Sequence, residues 1–116
     1  MLSFTGSLKV YLATGPTDLR KSFAGLWGLA ANQLKEDPEA GGLFVFCNRR
    51  RSRVKLLYCD GTGTWVMTKR LDQGTFSWPK GTDVKNGKLS LTPEALGLLL
   101  DGVDLKAGTL RPWYQR

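Results

Sequence analysis

The sequence predicts an α+β fold: an antiparallel sheet of four to six strands, one long helix packed on it, and a second, shorter C-terminal helix. Three runs rich in strand formers, LFVFCN (43–48), VKLLYC (54–59) and TWVMTKR (64–70), come in quick succession. The connections between them, RRRSR and DGTG, are short enough to demand antiparallel neighbours. Ahead of them, Leu19, Phe23, Leu26, Trp27, Ala30 and Leu34 recur at offsets that place them on one helical stripe. After them, Thr92 and Pro93 open a stretch in which Leu96, Leu99 and Leu100 form an apolar face.

Taken in order, LKVYLA (8–13) alternates weakly and ends at Gly15-Pro16, so it reads as a strand. Thr17 or Asp18 offers a side-chain oxygen to the unpaired amides of a first helical turn, and a helix over roughly 18–36 follows. On its stripe Trp27 reads as core. Gly25 and Gly28 weaken this helix by up to about 1 kcal/mol each relative to alanine, which implies a close neighbour there. EDPEAGG (36–42) ends it.

In the hairpin at 43–59, pleating puts Lys55, Leu57 and Cys59 on one face of the second strand and Val54, Leu56 and Tyr58 on the other. DGTG favours positive backbone dihedrals. TFSWP (75–79) reads as a fourth short strand or extended segment whose closing proline suits an edge. KGTDVKNGK is a polar loop with an Asn-Gly turn, followed by a brief strand, KLSL. Gly102 stops the last helix. The tail at 103–116 is partly irregular, with Trp113 and Tyr114 expected to dock on the body. The pattern leaves strand order open.

A chain of 116 residues fits one domain, 1–116, and 41% hydrophobic residues argue against disorder. No apolar run approaches the roughly eighteen residues a membrane helix needs, and MLSFTGSLKV lacks the plan of a signal peptide, so a cytoplasmic protein is expected. Cys47 and Cys59 are too few for a disulfide framework and have no histidine with which to build a common zinc site. Without histidine the commonest general base is also missing, and the carboxylates are scattered among turns and helix ends. The expectation is a protein without catalytic residues, metal or cofactor.

Net charge is +7, and it is concentrated. Between Leu43 and Leu71 stand Arg49, Arg50, Arg51, Arg53, Lys55, Lys69 and Arg70 against one acid, Asp60; seven minus one is +6, so the rest of the chain carries +1. A patch of that density attracts polyanions by counterion release. On a hairpin it reads as a surface that grips a nucleic-acid backbone; the plainer alternative is a solvated loop that keeps an edge soluble. Because Lys69 and Arg70 are adjacent on a strand they point to opposite faces, and only one can join a given basic surface. Tyr58, Trp65, Trp78, Trp113 and Tyr114 are the aromatic candidates for stacking on bases.

The blocks YLATGPTDLRKSFAGL (11–26), LFVFCNRRRSRVKLLYCDGTGTWVMTKRL (43–71), GTFSWP (74–79) and LSLTPEALGLLLDGVD (89–104) resemble, in order and spacing, the small TnpB-type accessory proteins encoded by the second reading frame of IS 66 insertion sequences. The family's characteristic polar residues fall on Thr17, Asp18, Arg20 and Lys21, and on Arg50, Arg53, Lys55, Asp60, Gly61, Gly63, Lys69 and Arg70. Cys59 departs from the aromatic residue common at its position, and Leu105 from a tryptophan.

The resemblance implies a role in transposition beside a separate transposase that carries the catalytic carboxylates. Joined to the charge, it leads us to expect a non-catalytic DNA-binding accessory factor acting on the element's ends. Its surface would be Arg49, Arg50, Arg51, Arg53, Lys55, Lys69 and Arg70, with Arg20 and Lys21 added. Because no helix-turn-helix or zinc finger is recognisable, the alternative is a module that binds or activates the transposase without direct DNA recognition.

Overall fold

Five consecutive apolar residues, Leu43 to Cys47, need cover on both faces of any sheet they join. In the computed structural model, which describes residues 8–79 and 87–102, they form a strand buried at every position. The strands are β1 (Val10–Ala13), β2 (Leu43–Cys47), β3 (Arg53–Cys59), β4 (Thr64–Arg70) and β5 (Lys88–Leu91). They make one sheet in the order β4-β3-β2-β1-β5, with β2 at its centre. Two α-helices are described, α1 (Phe23–Gly28) and α2 (Pro93–Leu100).

The core has two halves, one on each sheet face. Val10, Leu12, Val45, Val54 and Leu56 meet Leu96 and Leu99 of α2, together with Phe76 and Trp78. On the other face Phe44, Phe46 and Leu57 meet Leu26, Ala30 and Leu34 of α1 and the turn that extends it. The alternation expected for β3 holds: Val54 and Leu56 point to the α2 side and Leu57 to the α1 side.

Two expectations need correction, and a third is narrowed. The sheet is mixed, because β1 and β2 run parallel, with Val10 opposite Leu43 and Leu12 opposite Val45. Parallel strands need a crossover of a dozen residues or more, and here α1 supplies it. The other pairs, β2 with β3, β3 with β4 and β1 with β5, are antiparallel.

The first helix is also shorter than its apolar stripe. It begins after Ser22, since Asp18 accepts from the Arg20 amide and side chain and Lys21 N donates to Asp18 O, so this stretch forms a turn. From Leu29 to Gln33 the helix widens to a π-type turn, with Leu34 N on Leu29 O at 2.9 Å. Lys35, at φ 60°, then takes the chain out of it. Phe23–Gly28 and Leu29–Gln33 together make 11 residues.

Of the two forms expected for 75–79, strand or extended segment, the first is not formed. The segment crosses the end of the sheet tied by Phe76 N to Arg51 O at 2.7 Å and by Trp78 Nε1 to Ala13 O at 3.0 Å.

Most other local expectations are met. Thr92 Oγ1 accepts from Ala95 N at 3.1 Å with Pro93 next to it, so α2 carries the expected cap. Gly61 (φ 93°) supplies the positive dihedral of the β3–β4 turn. A Cβ on Gly25 would come within 3.0 Å of Lys21 Cβ, the close neighbour expected there, whereas one on Gly28 would come no nearer than 3.9 Å, to Asn32 Nδ2, so that expectation fails. Residues 103–116, including Trp113 and Tyr114, and 80–86 lie outside the described residues. No described helix is long and apolar enough to cross a membrane.

The end of the π-type turn is held by Lys88. Its Nζ donates to Leu34 O at 2.9 Å and to Glu36 Oε2, and it lies 5.3 Å from the centroid of the Tyr11 ring. Lys88→Met is expected to lower stability by about 1 kcal/mol, because a charge-assisted bond to a carbonyl that ends a helix is lost. A urea titration reads this as a lower midpoint at unchanged slope. An unchanged midpoint would remove any holding role from Lys88.

Candidate nucleic-acid interface

The loop between β2 and β3 owes its shape to Asn48. Its Oδ1 accepts from Ser52 N at 2.9 Å and Arg53 N at 3.1 Å, while its Nδ2 donates to Ser52 Oγ at 3.0 Å. An amide side chain closing the turn on itself in this way stands in for backbone bonds the loop does not make. Arg49 and Arg50 are held out in water at the tip.

Behind the tip, pairing decides which cations meet. Arg53 lies directly opposite Arg70 in the β3–β4 register, and Lys55 opposite Thr68. Arg53, Lys55 and Arg70 therefore share the sheet face that carries α1. Lys55 Nζ donates to Lys21 O at 2.9 Å, which brings the turn before α1 against the same cluster. Thr17 N bonds Cys47 O at 2.8 Å, so the 14–22 loop and the hairpin tip lie at one end of the sheet. Three separate stretches of chain deliver seven cations there: Arg20 and Lys21, then Arg49, Arg50, Arg53 and Lys55, then Arg70.

Two of the expected site residues are engaged elsewhere. Lys69 points to the α2 face, where Nζ donates to Leu100 O at 2.6 Å and lies 3.9 Å from Asp101 Oδ1, a cation at the negative end of a helix. Arg51 is half-buried with φ 59°, donates from Nη2 to Thr14 O at 3.3 Å and stands 5.4 Å from the Trp78 ring centroid. Beside it, burial pushes the Cys47 thiol pKa up, partly opposed by the Arg51 guanidinium.

The opposite end of β3 carries an acid. Asp60 at the β3–β4 turn accepts from Thr62 N and Gly63 N, each at 2.9 Å, and from Trp65 Nε1 at 2.8 Å. These bonds, the Thr62 amide first, hold its carboxyl far below the usual carboxylate range. Glu39 borders a groove with Thr62 on the same side. The molecule thus has a charge gradient along β3, from Arg53 to Asp60. Among the described residues, no group of three or more His, Cys, Asp or Glu comes together to hold a metal ion.

The family model described as IS66 Orf2 like protein matches residues 8–109. The chain belongs to that family. Two curated relatives from Sinorhizobium fredii (strain NBRC 101917 / NGR234) are similar along nearly the whole length. Uncharacterized protein y4hO is 39% identical over 104 residues, covering 90% of this chain and 88% of the relative; uncharacterized protein y4jC is 38% identical, covering 90% and 86%. No solved structure matches the chain. Membership in the IS66 Orf2-like family makes this an accessory protein of an insertion sequence.

In this IS66 Orf2-like protein one cation of the cluster carries its own counter-ion. Asp18 clasps the Arg20 guanidinium, Nη2 to Oδ2 at 2.7 Å, and the Arg20 side-chain and amide bonds hold the Asp18 pKa at about 2. A depressed carboxylate stabilises the fold above its unfolded value, near 3.8, and loses that contribution as pH falls toward 2, so at neutral pH the clasp is closed. Asp18→Asn is expected to raise affinity for a polyanion about two- to fivefold by releasing Arg20. Titration at pH 7 checks it, and an unchanged affinity would place Arg20 outside the surface.

The apolar stripe misplaced two aromatic residues. Trp27, read as core, is 37% exposed, and Phe23, on the same stripe, is 53% exposed. Among the stacking candidates, Trp78 is core, Tyr58 packs against the α2-side core, and Trp65 is 57% exposed but tied to Asp60. The i, i+4 spacing of Phe23 and Trp27 is the one signal that groups them, and it does not say which side faces the sheet.

Proposed function

We propose that this protein is a non-catalytic DNA-binding accessory factor for transposition, acting beside a separate transposase in the cytoplasm. The observation that carries the reading is the meeting of Arg53 and Arg70 in direct cross-strand register, with Lys55 and Lys21 alongside. Like charges set opposite each other on a sheet destabilise it, and a bound polyanion removes that repulsion. Membership in an insertion-sequence family supports DNA as the polyanion. Arg49, Arg50, Arg53, Lys55 and Arg70, with Lys21 and Arg20, form the surface; Arg51 and Lys69 serve the fold. The element's ends are the expected target.

A gel-shift titration against end-sequence DNA at two salt concentrations tests this. Binding at low salt that weakens steeply as salt rises is the expected result. Failure to bind duplex or single strand at low salt would refute it. The competing reading, a module that binds the transposase without DNA, predicts a complex with the transposase that survives nuclease treatment.

A further inference from the structure

Two large aromatic rings stand in water on α1, between the cationic end of β3 and β4 and their Asp60 end. Phe23 and Trp27 are one turn apart on the same side of α1. That helix lies over β3 and β4, and Trp27 borders a groove of about 460 Å³ with Cys59, Gly61 and Thr64. Next to α1, on β4, Thr64, Thr68 and Arg70 are exposed on the α1 side and Val66 is only half-buried. The result is a shelf about 23 Å long, at roughly 3.3 Å per strand residue. It has an aromatic wall, a floor with two threonine hydroxyls, Arg53, Lys55 and Arg70 at one end, and Glu39 and the Asp60 turn at the other.

We infer that this shelf takes an unpaired strand of nucleic acid, with Phe23 and Trp27 stacking on bases while Arg53, Lys55 and Arg70 hold the phosphates. The inference rests on the DNA-binding reading and sharpens it to a strand class. A duplex keeps its base faces stacked inside, where exposed rings cannot reach them; a single strand presents those faces. The charge argues against an apolar protein segment as occupant, because such a segment would leave three cations at the end of the shelf unpaired.

The test uses a fluorescently labelled oligothymidylate and a duplex of equal length, titrated with the full chain and followed by anisotropy. Phe23→Ala with Trp27→Ala is expected to weaken single-strand binding about tenfold or more, a stacking loss summed over two rings. Duplex binding should change less than twofold, and Phe23→Tyr with Trp27→Phe should restore the single-strand affinity. Should the double alanine variant melt early, Phe23→Gln at the more exposed position carries the same comparison. Duplex binding without oligothymidylate binding would overturn this inference and leave the DNA-binding reading standing; binding of neither would remove both. Equal loss on both ligands, or no loss on either, would overturn the stacking role. Loss of transposase co-purification with unchanged single-strand affinity would assign the rings to a protein contact instead.

Discussion

Replacing Arg53 and Arg70 together by alanine is expected to weaken DNA binding roughly sixtyfold at about 0.1 M salt, without destabilising the protein. Each phosphate contact contributes about 0.9 to the slope of log affinity against log salt. Removing two contacts therefore reduces the slope by nearly two units and the affinity at about 0.1 M by close to two decades. The two arginines face each other across β3 and β4, so the same change relieves a like-charge pair.

The prediction separates function from fold. Arg70→Glu alone sharpens it, since a glutamate opposite Arg53 turns repulsion into attraction, worth a few tenths of a kcal/mol at this exposed position. That variant should melt slightly higher and bind DNA worse. Salt-dependent titration beside a thermal melt reads both quantities. Affinity and melting temperature falling together would mean that the pair serves the sheet.

Arg51→Ala is expected to have the opposite profile, a loss of about 2 kcal/mol in stability with little change in DNA affinity per folded molecule. The Arg51 guanidinium bridges the hairpin loop to Thr14 O and covers Trp78, while its backbone carbonyl accepts from Phe76 N. The bond to Thr14 and the ring contact together account for that loss, partly offset because a buried, unpartnered Nη1 leaves with the side chain. For a domain of this size the melting temperature should drop by roughly 10 °C. Arg51→Gly should recover roughly 1 kcal/mol of it, since glycine adopts a φ of 59° without the left-handed penalty of alanine. Equal stability of the two variants would remove backbone conformation from the account. A large loss of affinity in correctly folded Arg51→Ala would return Arg51 to the binding surface.

The β2–β3–β4 meander was legible because its connections are too short for any other pairing, and its alternation assigned the faces of β3 correctly. The parallel pairing of β1 and β2 was not legible, although a clue was present: LFVFC is apolar at every position, the mark of a strand covered on both faces. The start of α1 was misplaced because Asp18 has two uses. A carboxylate near a helix start either caps amides or pairs with a nearby cation, and Arg20 two residues on captured it. Along the helix that forms, the stripe that reaches the sheet is Leu26, Ala30 and Leu34, and Phe23 and Trp27 turn outward.

By itself the sequence determined that the charge is concentrated, which stretch carries it, that this stretch is a hairpin, and which adjacent residues must part to opposite faces. Those are local properties, set by spacing and by the period of two along a strand. Only the tertiary structure decided where each cation sits and what it pairs with. Cross-strand register set Arg53 against Arg70, the parallel crossover brought Lys21 to Lys55 over 34 positions, the end of α2 captured Lys69, and Trp78 and Thr14 captured Arg51. Each of these depends on a partner distant in the chain, and distance along the chain carries no record of nearness in space.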